Sequence, residues 1–278
     1  MSAAPGRPKQ ANAPVGGGEV HEVTSVGALC SELERAREEI RRLQLQLAQA
    51  AQAMEDYTYS VSHDLRASLR HVSSYLRIVR EDLGEALDPA IAAHLDTAGE
   101  AAAQMGRLMD GLLELSRVGR AELQLSAVDL GRLIAELRRQ MEVDGSPRRI
   151  EWAVAPDIPV VQGDVALLGQ MLARLLDNAV KFTRECPVAR IDIGWGRRDD
   201  GALELRIRDN GVGFDPRFQD RLFRVFQRLH SARQFEGMGI GLALARRVVE
   251  RHGGTIRADG DMRPGCQVSL TLPIAAGG

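Results

Sequence analysis

Apolar residues in the first half of the chain recur in a beat that alternates steps of three and four. From Val26 they fall at 26, 29, 33, 36, 40, 43, 47, 50, 54, 57 and 61, the heptad seam of a coiled coil. The residues between them, as in SELERAREEIRR, are charged and suit the wet outside of such a helix. After Val61 the beat slips. Leu65, Leu69, Val72, Leu76, Val79 and Leu83 open with two steps of four, a stutter that locally unwinds a left-handed supercoil. The helix is predicted to end near GEALD, where Asp88 is a suitable N-cap and Pro89 a suitable first residue of the next helix. A second run follows at Ile91, Leu95, Ala98, Ala102, Met105, Met109 and Leu112. A loop of about five residues makes the two helices antiparallel neighbours. Two such hairpins bury both seams as a four-helix bundle, so a parallel homodimer is expected.

One histidine stands outside this register. In SVSHDLRASLR, residues 60–70, His63 lies two residues from both Val61 and Leu65. At about 100° per residue it points some 200° away from either. Its helical neighbours Ser60, Ala67, Arg70 and Ser74 are small or polar. A core histidine belongs on the seam, so His63 reads as exposed: an inert surface group or the reactive one.

Beyond SRVGRAEL the pattern becomes mixed α/β. Helical periodicity occurs at 129–142, 164–183 and 239–252, with strand-like runs in IEWAVA, ARIDIGWG, LELRIRD, GTIRADG and CQVSLTLP. Helices covering one face of a mostly antiparallel sheet are expected. Three short segments carry candidate chemistry. LLDNAVKFT puts Asn178 and Lys181 one turn apart, an amide oxygen and an ammonium on one helix face. RDNGVGFD ends a strand with Asp209 and supplies Gly211 and Gly213, where backbone can approach a flat ligand. EGMGIGLALARRVVE is a glycine-rich turn running into a helix, and helix N-termini suit phosphate. The GMGIG spacing departs from the dinucleotide pattern G-x-G-x-x-G.

Composition narrows the classes. The chain has 278 residues, 44% hydrophobic and 27% charged, as in ordinary globular proteins. Its 36 basic and 38 acidic residues nearly cancel, so no global field recruits nucleic acid or an anionic membrane. Three scattered cysteines, Cys30, Cys186 and Cys266, lack metal-ligand spacing and suggest reduced thiols in a cytoplasmic protein. No run approaches the roughly 18 apolar residues of a membrane span, and direct membrane insertion is not expected. The opening MSAAPGRPKQANAPVGGG reads as a flexible tail rather than a secretory signal.

These segments together resemble a sensor histidine kinase of bacterial two-component signalling. SHDLRASLR resembles the phosphoacceptor box, LLDNAVKFT the asparagine box, DNGVGFD and GMGIGLAL the glycine boxes, and LFRVFQRLH the phenylalanine box between them. The wording is closest to cytosolic kinase modules behind PAS or phytochrome-like sensors, and the similarity covers about residues 55–273. The resemblance implies an α plus α/β architecture: a disordered tail at 1–25, a coiled coil at 26–56, a dimerisation and phosphotransfer hairpin at 57–125, and a Bergerat-type (GHKL) α/β-sandwich ATP-binding domain at 126–278. It implies ATP and Mg²⁺ as cofactors. His63 would be the phosphorylated nucleophile and Asp64 would orient it. Asn178 would hold Mg²⁺, Lys181 would contact phosphates and Phe182 would lie near adenine. Asp209 would accept from the adenine amino group, with Gly211 and Gly213 making room. Gly237, Gly239 and Gly241 would shape the phosphate end. Segment 214–236 would be a lid latched by Phe223 and Phe226, with Arg228 reaching the γ-phosphate. The implied partners are a second copy of the chain, the receiver domain of a separate response regulator, and a separate sensor protein, because no receiver or sensor domain is visible in these residues.

Four positions depart from the family pattern. Ser68 stands where proline is common, and Ala67 where a phosphatase-competent member carries Thr or Asn, so weak phosphatase activity is expected. Arg174 replaces a second asparagine, and Met238 a common threonine. A catalytically silent, ATP-binding dimeric adaptor is the competing reading, with a serine kinase or ATPase on the same nucleotide fold a more distant one.

Overall fold

The computed structural model describes residues 19–84, 87–143, 148–231, 234–260 and 265–275. Helix α1 spans Glu19–Leu83, so the described part of the expected 1–25 tail is helical; residues 1–18 lie outside the described residues. The alternation of charged and apolar positions predicts such a helix, and no proline interrupts it.

The chain divides into two compact units, Met1–Ala53 and Met54–Gly278. In the first, the expected seam residues Leu33, Ile40, Leu43 and Leu47 are exposed, and i,i+3 pairs Glu38–Arg41 and Glu39–Arg42 decorate the helix surface.

The second unit begins with the last thirty residues of α1, followed by α2 at Pro89–Arg120. Asp88 caps α2, its carboxylate accepting from the Ala90 N–H at 2.8 Å, with Pro89 in the first turn. The expected stop and start signals therefore lie at the positions read from the sequence. Three ion pairs cross between the helices: Asp56–Arg120 at 3.1 Å, Arg66–Asp110 and Arg80–Asp96. Each residue gained along α1 is one lost along α2, as in an antiparallel hairpin, and this register sets His63 level with Leu113.

The α/β part follows as β1 (Ser126–Val128), α3 (Leu130–Val143), β2 (Ile150–Val154), β3 (Val161–Gly163), α4 (Val165–Phe182), β4 (Ala189–Arg197), β5 (Leu203–Asp209), α5 (Gly241–Arg251), β6 (Ile256–Gly260) and β7 (Cys266–Leu272). The main sheet has the order β2-β4-β5-β7-β6, antiparallel except for the β2–β4 pair. β1 and β3 form a separate antiparallel pair, with Ser126 opposite Gly163.

Strand β5 alternates as expected, with Leu203, Leu205 and Ile207 buried. They meet Leu168, Leu172, Leu175 and Leu176 of α4, and Leu244 and Val248 of α5, in one core. Each fully buried aliphatic side chain contributes about 1.5–3 kcal/mol, enough to fix the faces of α4 and α5. The C-terminal end of α4 and the N-terminal end of α5 thereby reach one cavity, where the site forms.

Candidate active site

Helix α4 starts on Asp164, whose carboxylate accepts from the N–H groups of Ala166, Leu167 and Gln124. Burial raises the Asp164 pKa, but these three donors outweigh it and hold the carboxyl below its ordinary range. Seven buried apolar residues then fix the rotation of α4 and bring Asn178, Lys181 and Phe182 to a cavity of about 220 Å³. Lys181 Nζ donates to Asn178 Oδ1 at 3.0 Å and lies 4.6 Å from the Phe182 ring centroid. Burial lowers the Lys181 pKa, against an opposing pull from Asp177.

Asp209, at the end of β5, is 7% exposed. It accepts from Gly211 N–H at 2.9 Å and Cys266 N–H at 3.3 Å. Burial pushes its pKa up to about 6, against the lowering effect of those two bonds. The cavity stops short of this carboxylate; Gly213 and Cys266, beside it, line the wall. Gly211 has no room for a side chain, because a Cβ would overlap the Phe182 carbonyl and lie 2.9 Å from Asp209 Oδ1. The Cys266 thiol is itself desolvated, its pKa pushed up to about 12, so it behaves as an inert wall.

At the other end, Gly237, Gly239 and Gly241 form the turn into α5. Gly239 has φ +72°, and a Cβ there would overlap the Gln227 carbonyl. Gly241 is the first residue of α5, and its preceding cap, Ile240, supplies no side-chain hydrogen bond. That leaves the helix N-terminus without a side-chain acceptor, as an anion site requires.

Segment 214–236, described except for 232–233, covers the cavity. Three rings meet there: Phe182 with His230 at 5.5 Å, Phe182 with Phe235 at 5.1 Å, and His230 with Phe235 at 5.4 Å between centroids. The His230 Nε2–H donates to the Gly213 carbonyl at 2.9 Å. Sequence reasoning found the phenylalanine box but not His230 or Phe235 as cavity walls; their only signal was aromatic character beside glycines. Arg228 lines the cavity, yet its guanidinium donates to the Phe235 carbonyl at 2.6 Å, tying the segment to itself. Of the two expected latches, Phe223 lines a second cavity with Leu112 and Leu115 of α2. Phe226 is 39% exposed at φ +64°, so it latches onto no core.

His63 lies on α1 with its side chain 62% exposed, its Nδ1 3.2 Å from Asp64 Oδ1. The neighbouring Ser62 is buried at 3%, so the helix face turned from solvent is not the one carrying His63. Ser68 donates to the Asp64 carbonyl at 3.3 Å, inside an unbroken helix. Helix α2 brings the two regions together: Gly111 and Glu114, which bracket the level of His63, also line the cavity.

Oxygen at Asn178 suits Mg²⁺, which binds through one or two protein oxygens with phosphates and water completing its shell. Among the described residues no cluster of three or more His, Cys, Asp or Glu side chains could hold a metal ion.

Residues 163–276 match the family model described as Histidine kinase-, DNA gyrase B-, and HSP90-like ATPase. The phytochrome-like protein Cph1 of Synechocystis sp. is 29% identical over 252 residues, which are 89% of this chain and 33% of that protein. The methanogenesis regulatory histidine kinase FilI of Methanothrix harundinacea is 32% identical over 243 residues, 87% of this chain and 27% of that one. Full-length ShkA, solved with AMPPNP, superposes with a TM-score of 0.57 at 25% identity, covering 80% of this chain and 46% of that one. The chain belongs to the two-component histidine kinases. It spans about a third or less of the length of Cph1 and FilI. As a member of that family it carries an ATPase domain of the nucleotide-binding type. No helix among its described residues is long and apolar enough to cross a membrane.

Proposed function

We propose that the chain is an ATP-dependent protein histidine kinase that phosphorylates His63 and passes the phosphoryl group to an aspartate of a response regulator. The observation that carries this reading is the placement of an exposed imidazole, paired with a carboxylate, level with the α2 residues that wall the nucleotide cavity. A proton on Nδ1 directed at Asp64 leaves the Nε2 lone pair free to attack the γ-phosphorus. The new N–P bond forms as the bond to the β,γ-bridging oxygen breaks, and ADP leaves. Asp64 stabilises the positive charge on the ring and takes the Nδ1 proton.

The surrounding residues supply position and charge. Asn178 would hold Mg²⁺, which when bound neutralises the polyphosphate, while Lys181 and the α5 N-terminus receive phosphate oxygens. Asp209 would read the adenine amino group, and the Phe182–His230–Phe235 rings would flank the base. The resting Arg228–Phe235 bond has to open before Arg228 can reach a phosphate with that donor. Ala67, with no hydrogen-bonding group to place a water, supports weak phosphatase activity toward the regulator.

Incubation with γ-labelled ATP and Mg²⁺ tests the reading. The expected result is an acid-labile, alkali-stable label on the chain that is absent from His63→Gln. ATP binding without label in the native protein would instead mark a silent adaptor.

A further inference from the structure

Arg174 occupies a position where the family resemblance leads to an asparagine, and it has a partner on another helix. It lies one turn before Asn178 on α4, and both line the cavity. They bracket the start of α5: a Cβ on Gly241 would lie 3.7 Å from Arg174 Cβ and 3.8 Å from Asn178 Nδ2. Arg174 is therefore beside the helix N-terminus that suits phosphate. Its Nη2 donates to both Glu114 oxygens, each at 2.9 Å. Glu114 is on α2 and lines the same cavity. One turn earlier on α2, a side chain on Gly111 would overlap Ile240, the residue before Gly241. The hairpin thus touches the glycine turn and holds the nearby cation at one place.

Electrostatics make this arrangement conditional. Within the chain itself one carboxylate answers one guanidinium. A polyphosphate at the α5 N-terminus brings several negative charges within reach of Arg174, whose fork fits phosphate oxygens as well as a carboxylate. The polyphosphate and Glu114 then compete for the Arg174 guanidinium.

We propose that Arg174 is a phosphate-binding residue that Glu114 holds while the site is empty, so that nucleotide entry trades the Arg174–Glu114 pair for an Arg174–phosphate pair and loosens the grip of α2 on the catalytic part. The proposal rests on the reading of the cavity as a nucleotide site. By linkage, whatever strengthens the hold on α2 weakens nucleotide binding by the same factor.

Calorimetric titration with ADP and with a non-hydrolysable ATP analogue, at fixed salt, tests it on the whole chain. Glu114→Gln is expected to bind the analogue about two- to fivefold more tightly, the scale of a partly exposed ion pair. Arg174→Gln is expected to bind it about tenfold more weakly. In the double variant the gain from Glu114→Gln vanishes, because it acts through Arg174. Amide hydrogen exchange of residues 111–121 should quicken when the native protein is saturated. A Glu114→Gln affinity within error of the native value, a gain that persists without Arg174, or exchange that is unchanged or slower would each overturn the proposal. A native chain that takes up neither nucleotide would sink the underlying site reading, whereas tight binding that none of these changes alters would sink the proposal alone.

Discussion

Asp209 shows how one residue can be set against the stability of its own domain. Its pKa is ordinarily near 3.8 and rises to about 6 in the fold because burial disfavours the charged form. The folded chain therefore holds more protons than the unfolded chain between those values, so stability falls as pH rises from about 4 to about 6 and then levels off. At neutral pH the ionised group costs up to about 3 kcal/mol. Asp209→Asn should raise the urea midpoint at pH 7.5, followed by the fluorescence of Trp152 and Trp195 on the sheet, and should flatten the slope between pH 4 and 6. On the proposed reading, in which Asp209 accepts from the adenine amino group, the same variant should bind ATP at least tenfold more weakly, because an amide N–H would replace that acceptor. Gly211→Ala, which sets a methyl group against the Phe182 carbonyl and Asp209, should lose both stability and binding. A Gly211→Ala protein with native nucleotide affinity would contradict the geometry. The residue pattern made Asn178, Lys181, Asp209 and the glycines legible, since each stands at a helix spacing or strand end. It did not mark Glu114, His230 or Phe235, whose roles arise from contact with residues far away in the chain.

Among the elements, the joint at Asp164 carries more than the start of α4. Its carboxylate receives three backbone N–H groups, while its own N–H donates to Nε2 of the buried His252 at 2.9 Å; the His252 Nδ1–H then donates to the Val248 carbonyl at 2.7 Å. One residue thus joins the segment after α2, the start of α4 and the end of α5. Asp164→Ala should cost about 2 kcal/mol from the cap alone, with a further loss because Gln124 N–H is stranded. Thermal unfolding should show a clear drop, and Asp164→Asn, which keeps one acceptor oxygen, should recover part of it. Native-like melting of Asp164→Ala would refute the hub role. Helices α3, α4 and α5 and the five long strands were legible because their apolar periods run for several residues. The β1–β3 pair was not, since three residues display no period and pairing between segments over thirty residues apart leaves no local trace.

For the whole molecule, the question is what covers α1. Val61, Leu65, Val72, Val79 and Leu83 follow the seam read from the sequence and remain 36–49% exposed in a single chain, whereas Ser62 and Arg66 are turned toward α2. An apolar stripe of this length is a mark of association, and a second hairpin packed on it would complete the four-helix bundle expected from the sequence. Heptad spacing made that stripe legible. The seating of the α/β part on α2 was not legible, because its contacts join distant positions: Arg174 with Glu114, Ile240 with Gly111, and Arg251, which donates to the Val118 carbonyl at 2.5 Å and to that of Ala121. These contacts lie within one chain, and so do all the cavity walls. Association and nucleotide binding are therefore expected to separate. Val72→Glu combined with Val79→Glu should convert a sedimenting dimer into a monomer while leaving the affinity for ADP within about twofold, since a charge on each seam position disrupts pairing without touching the cavity. A dimer that survives both charges would place its interface elsewhere, and a monomer that no longer binds ADP would mean that the partner helps to shape the site.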